Sequence, residues 1–251
     1  MMDYGKEFRN YATKHLGLNG LTTDDVMKYQ IEQVERSGLT PYIVEEREMR
    51  VSQMDVFSRL MMDNIIWVSG EVNTQMADIV QAQLLFLDSV RTKDITLHLS
   101  SPGGSVLAGL GIVDVMNYIK SDVASINLGL AASMGSILLS SSAKGKRYSL
   151  KFSKVMIHQV SSSTGGTVMD QRISLFEAEK YNYILFKILA ENCGKTFDEV
   201  LEVAHRDKWF NSQEALDFGL IDEIIVGSDT KSITDYMSGF DDYYNKVVLR
   251  K

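Results

Sequence analysis

Between Ile65 and Ala143 the chain alternates short β-rich apolar runs with longer runs of helical period, and this alternation restricts the fold more than any other feature. The run Ile65-Ile66-Trp67-Val68-Ser69-Gly70 is strand-like and closes on glycine, and residues 77–87 follow with Ile79, Ala82, Phe86 and Leu87 at helical spacing. A second strand, Ile95 to Leu99, runs into Ser100-Ser101-Pro102-Gly103-Gly104 and a helix over 106–119. A third, Val123 to Leu128, ends at Gly129-Leu130-Ala131-Ala132-Ser133-Met134-Gly135, and a small-residue helix continues from Met134 to Ala143. Strand-then-helix repetition predicts an α/β fold with a mostly parallel sheet and right-handed crossovers.

The order then changes. Residues 147–150 and 155–158 read as short strands, and Ser161 to Gly166 leads into a long helix over 168–192 that Gly194 ends in a C′ position. A short helix over 197–204 follows, then a turn of helix from Ser212 to Phe218 with capping character at its start, and a last strand from Leu220 to Ile225. Residues 1–40 are polar and interrupted by Gly17, Gly20 and Gly38, which reads as an N-terminal arm or removable leader carrying one helix from Thr23 through Gln33. Pro41 marks the boundary of a domain over 41–227, which opens on a short strand or loop at Tyr42-Ile43-Val44. Residues 228–251 form a polar C-terminal tail with no clear period.

Composition narrows the function classes. A net charge of −7, with no basic block longer than Lys144-Gly145-Lys146-Arg147, argues against a nucleic-acid surface, which needs clustered cations. Cys193 is the single cysteine, so neither an internal disulfide nor a thiolate metal site is expected, and the reading includes no metal and no cofactor. No stretch approaches the ~20 apolar residues of a membrane span and the N-terminus lacks a signal-peptide core, so no membrane partner is expected and a cytoplasmic location is.

Chemistry centres on Ser133, placed where a strand turns into a helix. The backbone N–H of Met134, next in the chain, and that of Gly104 in the Pro102-Gly103-Gly104 turn are candidate oxyanion donors, since glycine lets a backbone approach a substrate without a Cβ in the way. The alternative is structural: a tight turn at the glycines and a small residue at 133 that packs a helix against the sheet. A serine needs a base, and of His15, His98, His158 and His205 only His158 ends a buried-looking strand at the rim where catalytic groups collect. Asp207 leads as the carboxylate that orients it, with Asp170 and Asp222 as rivals that spacing leaves open.

From about Pro41 to Ile225 the sequence resembles the proteolytic subunit of the Clp protease, at Ser101-Pro102-Gly103-Gly104, Ala131-Ala132-Ser133-Met134-Gly135, Ala143-Lys144-Gly145-Lys146-Arg147, Val155-Met156-Ile157-His158-Gln159 and Glu214-Ala215 through Gly219-Leu220-Ile221-Asp222-Glu223. The resemblance implies a crotonase-like fold of repeated β-β-α units with a protruding strand-plus-long-helix handle. It places the nucleophile at Ser133, the base at His158, the third triad member at Asp207 and the oxyanion donors at Gly104 and Met134. It implies a homo-oligomer of two stacked seven-membered rings, or a mixed ring with a paralogue, fed with unfolded polypeptide by an ATP-driven AAA+ unfoldase. Arg206 would contact the facing ring, and Thr96, His98, Tyr118, Ile126, Leu128, Tyr148, Leu150 and Ile225 would form the cleft that docks the unfoldase.

The chain departs from the family pattern at several places. Val160 and Phe152 stand where prolines are usual, His205 replaces an acidic residue, and Thr96 and His98 replace aromatic residues of the docking strand. A self-cleaved leader is the family precedent for residues 1–40. Two further readings remain: a crotonase-type enzyme acting on acyl thioesters through the same backbone donors, and a non-catalytic ring subunit that assembles with an active paralogue.

Overall fold

The computed structural model describes residues 42–47, 50–90, 93–228 and 231–248, so the arm, its expected helix and the Pro41 boundary lie outside the described residues. The chain divides into two units, residues 1–60 and 61–251. In the first, β1 (Tyr42–Arg47) and β2 (Arg50–Asp55) pair antiparallel, which makes a hairpin of the expected strand or loop. Asp55 then receives the N–H groups of Phe57 and Ser58, opening α1 (Val56–Met61).

The second unit is built on strands β3 (Ile65–Val72), β4 (Ile95–Gly104), β5 (Val123–Ala132), β6 (Arg147–Leu150) and β9 (Glu223–Ile225), adjacent in that order and all parallel. The crossover helices are α2 (Thr74–Val90), α3 (Val106–Tyr118) and α4 (Met134–Ser140). Leu84, Ile95, Leu97, Leu99, Ile112 and Leu138 are fully buried between sheet and helices. Each such side chain withdrawn from water contributes about 1.5–3 kcal/mol.

Two long strands change register partway: β3 between Ser69 and Glu71, and β4 between Leu99 and Ser101. β5 divides its partners instead. Its first half pairs with β6 through Ser125, Ile126 and Asn127, and its last three residues, Leu130 to Ala132, pair with β7 (Lys154–Ile157). Asn127 spans the change, since its side-chain N–H donates to the Lys154 carbonyl and its own carbonyl accepts the Ser153 hydroxyl. The strand therefore continues through Gly129 to Ala132, past the stop expected at Leu128. A short β8 (Lys208–Phe210) pairs antiparallel with β7, the one such pairing described in this sheet.

Helix α5 (Val168–Cys193) starts on a reciprocal capping box between Thr167 and Asp170 and ends at Gly194 in the left-handed conformation, φ 66°. Its buried residues begin only at Leu185, so the first 17 residues, roughly 25 Å at 1.5 Å per residue, stand clear of the core. The handle helix is present, but residues 159–167 form no strand before it. A lone extended segment has no ladder to satisfy its backbone groups, and none of the described strands lies beside this one. Helix α6 (Phe197–Ala204) is capped by Thr196, and α7 (Ser212–Phe218) by Asn211, one residue before the expected capping run. The tail is helical, with α8 (Ile233–Met237) capped by Ser232, α9 (Phe240–Tyr243), and a π turn over Tyr244–Val248.

Helix α2 buries a different face from the one its hydropathy suggests. Ala77, Val80, Leu84 and Leu87 point into the core, whereas Ile79 and Phe86 are 51% and 54% exposed. Among the described residues no helix is long and apolar enough to cross a membrane.

Candidate active site

Ser133 sits between β5 and α4 with φ 53° and ψ −123°, a backbone conformation that costs a non-glycine residue about 1–3 kcal/mol. Three anchors hold it there. Its N–H donates to the Met156 carbonyl at 2.9 Å, and its carbonyl accepts from the Ser136 N–H at 2.9 Å and the Ser136 hydroxyl at 2.6 Å. The preceding Ala131 and Ala132 are buried and small, which lets the Pro102-Gly103-Gly104 turn close over them.

That turn has no room for a side chain. A Cβ on Gly103 (φ 92°) would lie 2.6 Å from Ser133 Cβ and 2.8 Å from the Met134 nitrogen, and one on Gly104 (φ 147°) would lie 2.3 Å from the Val72 carbonyl oxygen. Ser101 fixes the turn from below by donating its hydroxyl to the Gly70 carbonyl at 2.6 Å and accepting the Gly103 N–H at 3.1 Å. The Met134 amide opens α4, where helical amides have no partner within the helix.

His158 follows β7 directly. Its Nε2 lies 2.9 Å from Ser133 Oγ, and its Nδ1 lies 3.2 Å from Asp207 Oδ1. The imidazole is 23% exposed and the Asp207 side chain 63%. The two rival carboxylates are engaged elsewhere: Asp170 caps α5, and Asp222 pairs with Arg147. Burial pushes the Asp222 carboxyl up, but the hydrogen bonds and charge of Arg147 outweigh it and hold the group below the usual carboxylate value. His205 lies outside the constellation, although its carbonyl accepts the Gln159 side-chain amide at 3.2 Å.

The sequence alone gives no reason to single out Asn182. Its Oδ1 accepts the Val160 N–H at 2.9 Å, tying the loop after His158 to α5. Proline at position 160 would have no N–H to offer, so the valine there is what permits this tether. Beside Ser133 lies a small cavity of about 50 Å³, whose walls include Ile137, Val160, Leu185 and Leu189.

Several of the expected docking positions stand side by side on the sheet. His98, Ile126 and Tyr148 stand in register across β4, β5 and β6, with Leu150 beside Ile225. Thr96, His98, Ile126, Leu128, Tyr148, Leu150 and Ile225 are all partly exposed, and Tyr118, at the end of α3, is 80% exposed. Trp67, a residue the sequence reading leaves aside, is in register with His98, with ring centroids 5.7 Å apart. Burial lowers the His98 pKa from its ordinary value. Arg206 is exposed beside Asp207. Among the described residues no group of three His, Cys, Asp or Glu side chains is placed to hold a metal ion.

The family model for Clp protease matches residues 46–228. The ATP-dependent Clp protease proteolytic subunit of Bacteroides fragilis (strain YCH46) is 49% identical over 221 residues, spanning 88% of this chain and 98% of the relative. The subunit of the same name from Porphyromonas gingivalis is 46% identical over 220 residues, 87% of this chain and 97% of the relative, and that from Streptococcus agalactiae serotype V is 47% identical over 190 residues, 74% and 97%. Nearly half of the aligned residues are identical to these subunits across most of the chain, and the chain belongs to the Clp protease family.

Proposed function

We propose that this Clp-type serine endopeptidase cuts unfolded polypeptide through an acyl-enzyme on Ser133, with His158 as general base and Asp207 as its orienting carboxylate. The observation that carries the reading is the 2.9 Å contact between Ser133 Oγ and His158 Nε2 at a strained strand-to-helix turn. Ser133 Oγ attacks the scissile carbonyl carbon while His158 Nε2 takes its proton. His158 then gives that proton to the leaving amine as the C–N bond breaks, and a water molecule activated by the same imidazole hydrolyses the ester. Asp207 keeps Nδ1 protonated and stabilises the imidazolium. The amides of Gly104 and Met134 supply the oxyanion donors, supported by the clearance that the side-chain-free turn leaves beside Ser133.

The complete Ser-His-Asp contact set favours peptidase chemistry over the thioester enzyme, which needs no serine nucleophile, and over the non-catalytic subunit. The register shifts along β3 and β4 and the divided pairing of β5, which passes from β6 to β7, suit crotonase-like β-β-α units.

The assembly is proposed as two stacked seven-membered rings, with the exposed first turns of α5 as the ring contact. Val168, Met169, Ile173 and Phe176 are 58–67% exposed there, an apolar surface that a second copy would cover. The residues 159–167 that precede it would gain strand partners in the same step, and Arg206 would face the opposite ring. An ATP-dependent unfoldase would dock on the partly exposed face from Thr96 to Ile225, and a cytoplasmic setting fits this reading. The test is hydrolysis of a short peptide by size-fractionated protein: activity that comigrates with a large species and disappears in Ser133→Ala supports it, and hydrolysis retained by that variant overturns it.

A further inference from the structure

A groove opens between the middle of β5 and the ends of β6 and β9, lined by Leu128, Leu150, Lys151, Phe152 and Ile225. Two of these residues also hold the C-terminal segment, which lies outside the span of the family match. Lys151 Nζ donates to the Lys231 carbonyl at 2.8 Å and stands 5.2 Å from the ring centroids of both Phe152 and Tyr236. The Phe152 and Tyr236 rings meet edge to face, 5.2 Å apart at 76°. Such a pair, with a cation shared between the rings, is a specific clamp and not a loose apposition.

We propose that the segment from Lys231 to Val248 is a built-in flap that occupies the rim of this groove, so that an apolar peptide of a partner protein docks there only by displacing it. Two features carry the inference. Phe152 and Lys151 each serve the groove and the clamp, so they cannot give both rings and both faces to a second ligand at once. Ile225 and Gly227 line the groove and the flap begins a few residues further along the chain, a tether short enough to give its binding face an effective concentration of order millimolar. The capping box between Ser232 and Asp235 opens α8, which carries Tyr236. Phe240 beyond it stacks against Tyr243 and Tyr244, giving the flap an aromatic surface of its own. The inference rests on reading this face as the partner-docking face, but not on the identity of the catalytic residues.

The test uses the full chain. Tyr236→Ala removes the clamp ring and leaves the groove lining intact, and Tyr236→Phe keeps the ring. Two readouts are taken: the rate of trypsin cleavage at Lys231 and Lys246, and the fluorescence of the apolar dye anilinonaphthalene sulfonate. Tyr236→Ala is expected to raise the cleavage rate about tenfold and dye fluorescence severalfold, Tyr236→Phe to behave as wild type, and a synthetic peptide of residues 231–248 to lower the dye signal of Tyr236→Ala. Unchanged cleavage overturns the clamp. Faster cleavage with unchanged dye binding overturns the claim that the flap covers the groove. Short-peptide hydrolysis, measured alongside, is expected to match wild type in Tyr236→Ala. If wild type itself fails to hydrolyse the peptide, it is the active-site reading that falls, while the two flap readouts stand unaffected.

Discussion

The Ser133 amide donates to the Met156 carbonyl at 2.9 Å, and His158 stands two residues further along from Met156. One backbone bond thus fixes the turn of the proposed nucleophile to the strand that carries its proposed base. The β5–β7 pairing sets the backbone separation across which Ser133 Oγ and His158 Nε2 meet.

The strained turn separates catalysis from stability. Glycine adopts φ 53° without a Cβ penalty, so Ser133→Gly is expected to melt above Ser133→Ala by roughly 2–4 °C, about 1 kcal/mol. Both variants are expected to lose about 10⁴-fold or more of peptide turnover. Calorimetry and a peptide assay on the same preparations check the two halves.

His158→Ala and Ser133→Ala are expected to cost about the same, and the double variant no more than either, because the two act as one unit. Asp207→Asn is expected to cost roughly 10- to 100-fold less, since its carboxylate is 63% exposed and water partly replaces it. Comparison of kcat across the four variants measures this ordering.

Asn182→Leu removes the acceptor for the Val160 N–H while keeping the side chain's bulk. A buried hydrogen bond contributes about 1 kcal/mol, so stability is expected to fall by about that much. The loosened loop next to His158 is expected to lower kcat several-fold with KM nearly unchanged. Steady-state kinetics read the split.

Arg147 is 2% exposed and donates to Asp222, to the Asn192 carbonyl at 3.0 Å and to the Gly219 carbonyl at 2.9 Å, joining β6 to the ends of α5 and α7. Removing Arg147 leaves the partly buried Asp222 carboxylate with only the Gly145 and Arg147 amides and strips two carbonyls of their donor, so Arg147→Met is expected to cost about 2–3 kcal/mol. The Asp222 carboxyl lies below its unfolded value, so its contribution is present above the ordinary carboxylate pKa of about 3.9 and is lost as pH falls through the folded value. Urea midpoints from pH 6 to pH 3 are expected to decline less steeply in Asp222→Asn than in wild type.

Cys193 is buried, and desolvation raises its thiol to about 11, against lesser opposing effects of Arg147, Lys144 and Lys195. Native protein at pH 8 is expected to resist iodoacetamide and urea-unfolded protein to react fully, as intact mass will show.

Most elements were legible where a local signal matched the physics that closes them. Gly194 ends α5 in the left-handed conformation as its C′ position suggests, and α6 spans the expected Phe197–Ala204. The face of α2 was not legible, because Ile79 and Phe86 are apolar but exposed and periodicity cannot tell a core stripe from a second surface. The last strand begins at Glu223, not Leu220, because Leu220 and Ile221 are buried by the turn after Gly219 and not by sheet pairing. Residues 159–167 form no strand, since a strand needs a neighbour that this chain does not itself supply. At the site, Ser133 and His158 follow from turn and strand-end chemistry. Only tertiary contacts separate Asp207 from Asp170 and Asp222, because three-dimensional proximity leaves no trace in spacing.

The most direct measurement of the central claim is active-site labelling with a fluorophosphonate followed by peptide mapping. The account predicts one adduct per chain, on Ser133, formed by wild type and suppressed at least a hundredfold in His158→Ala, whose serine has lost its base. An adduct on any other serine, or undiminished labelling of Ser133 without His158, would contradict it.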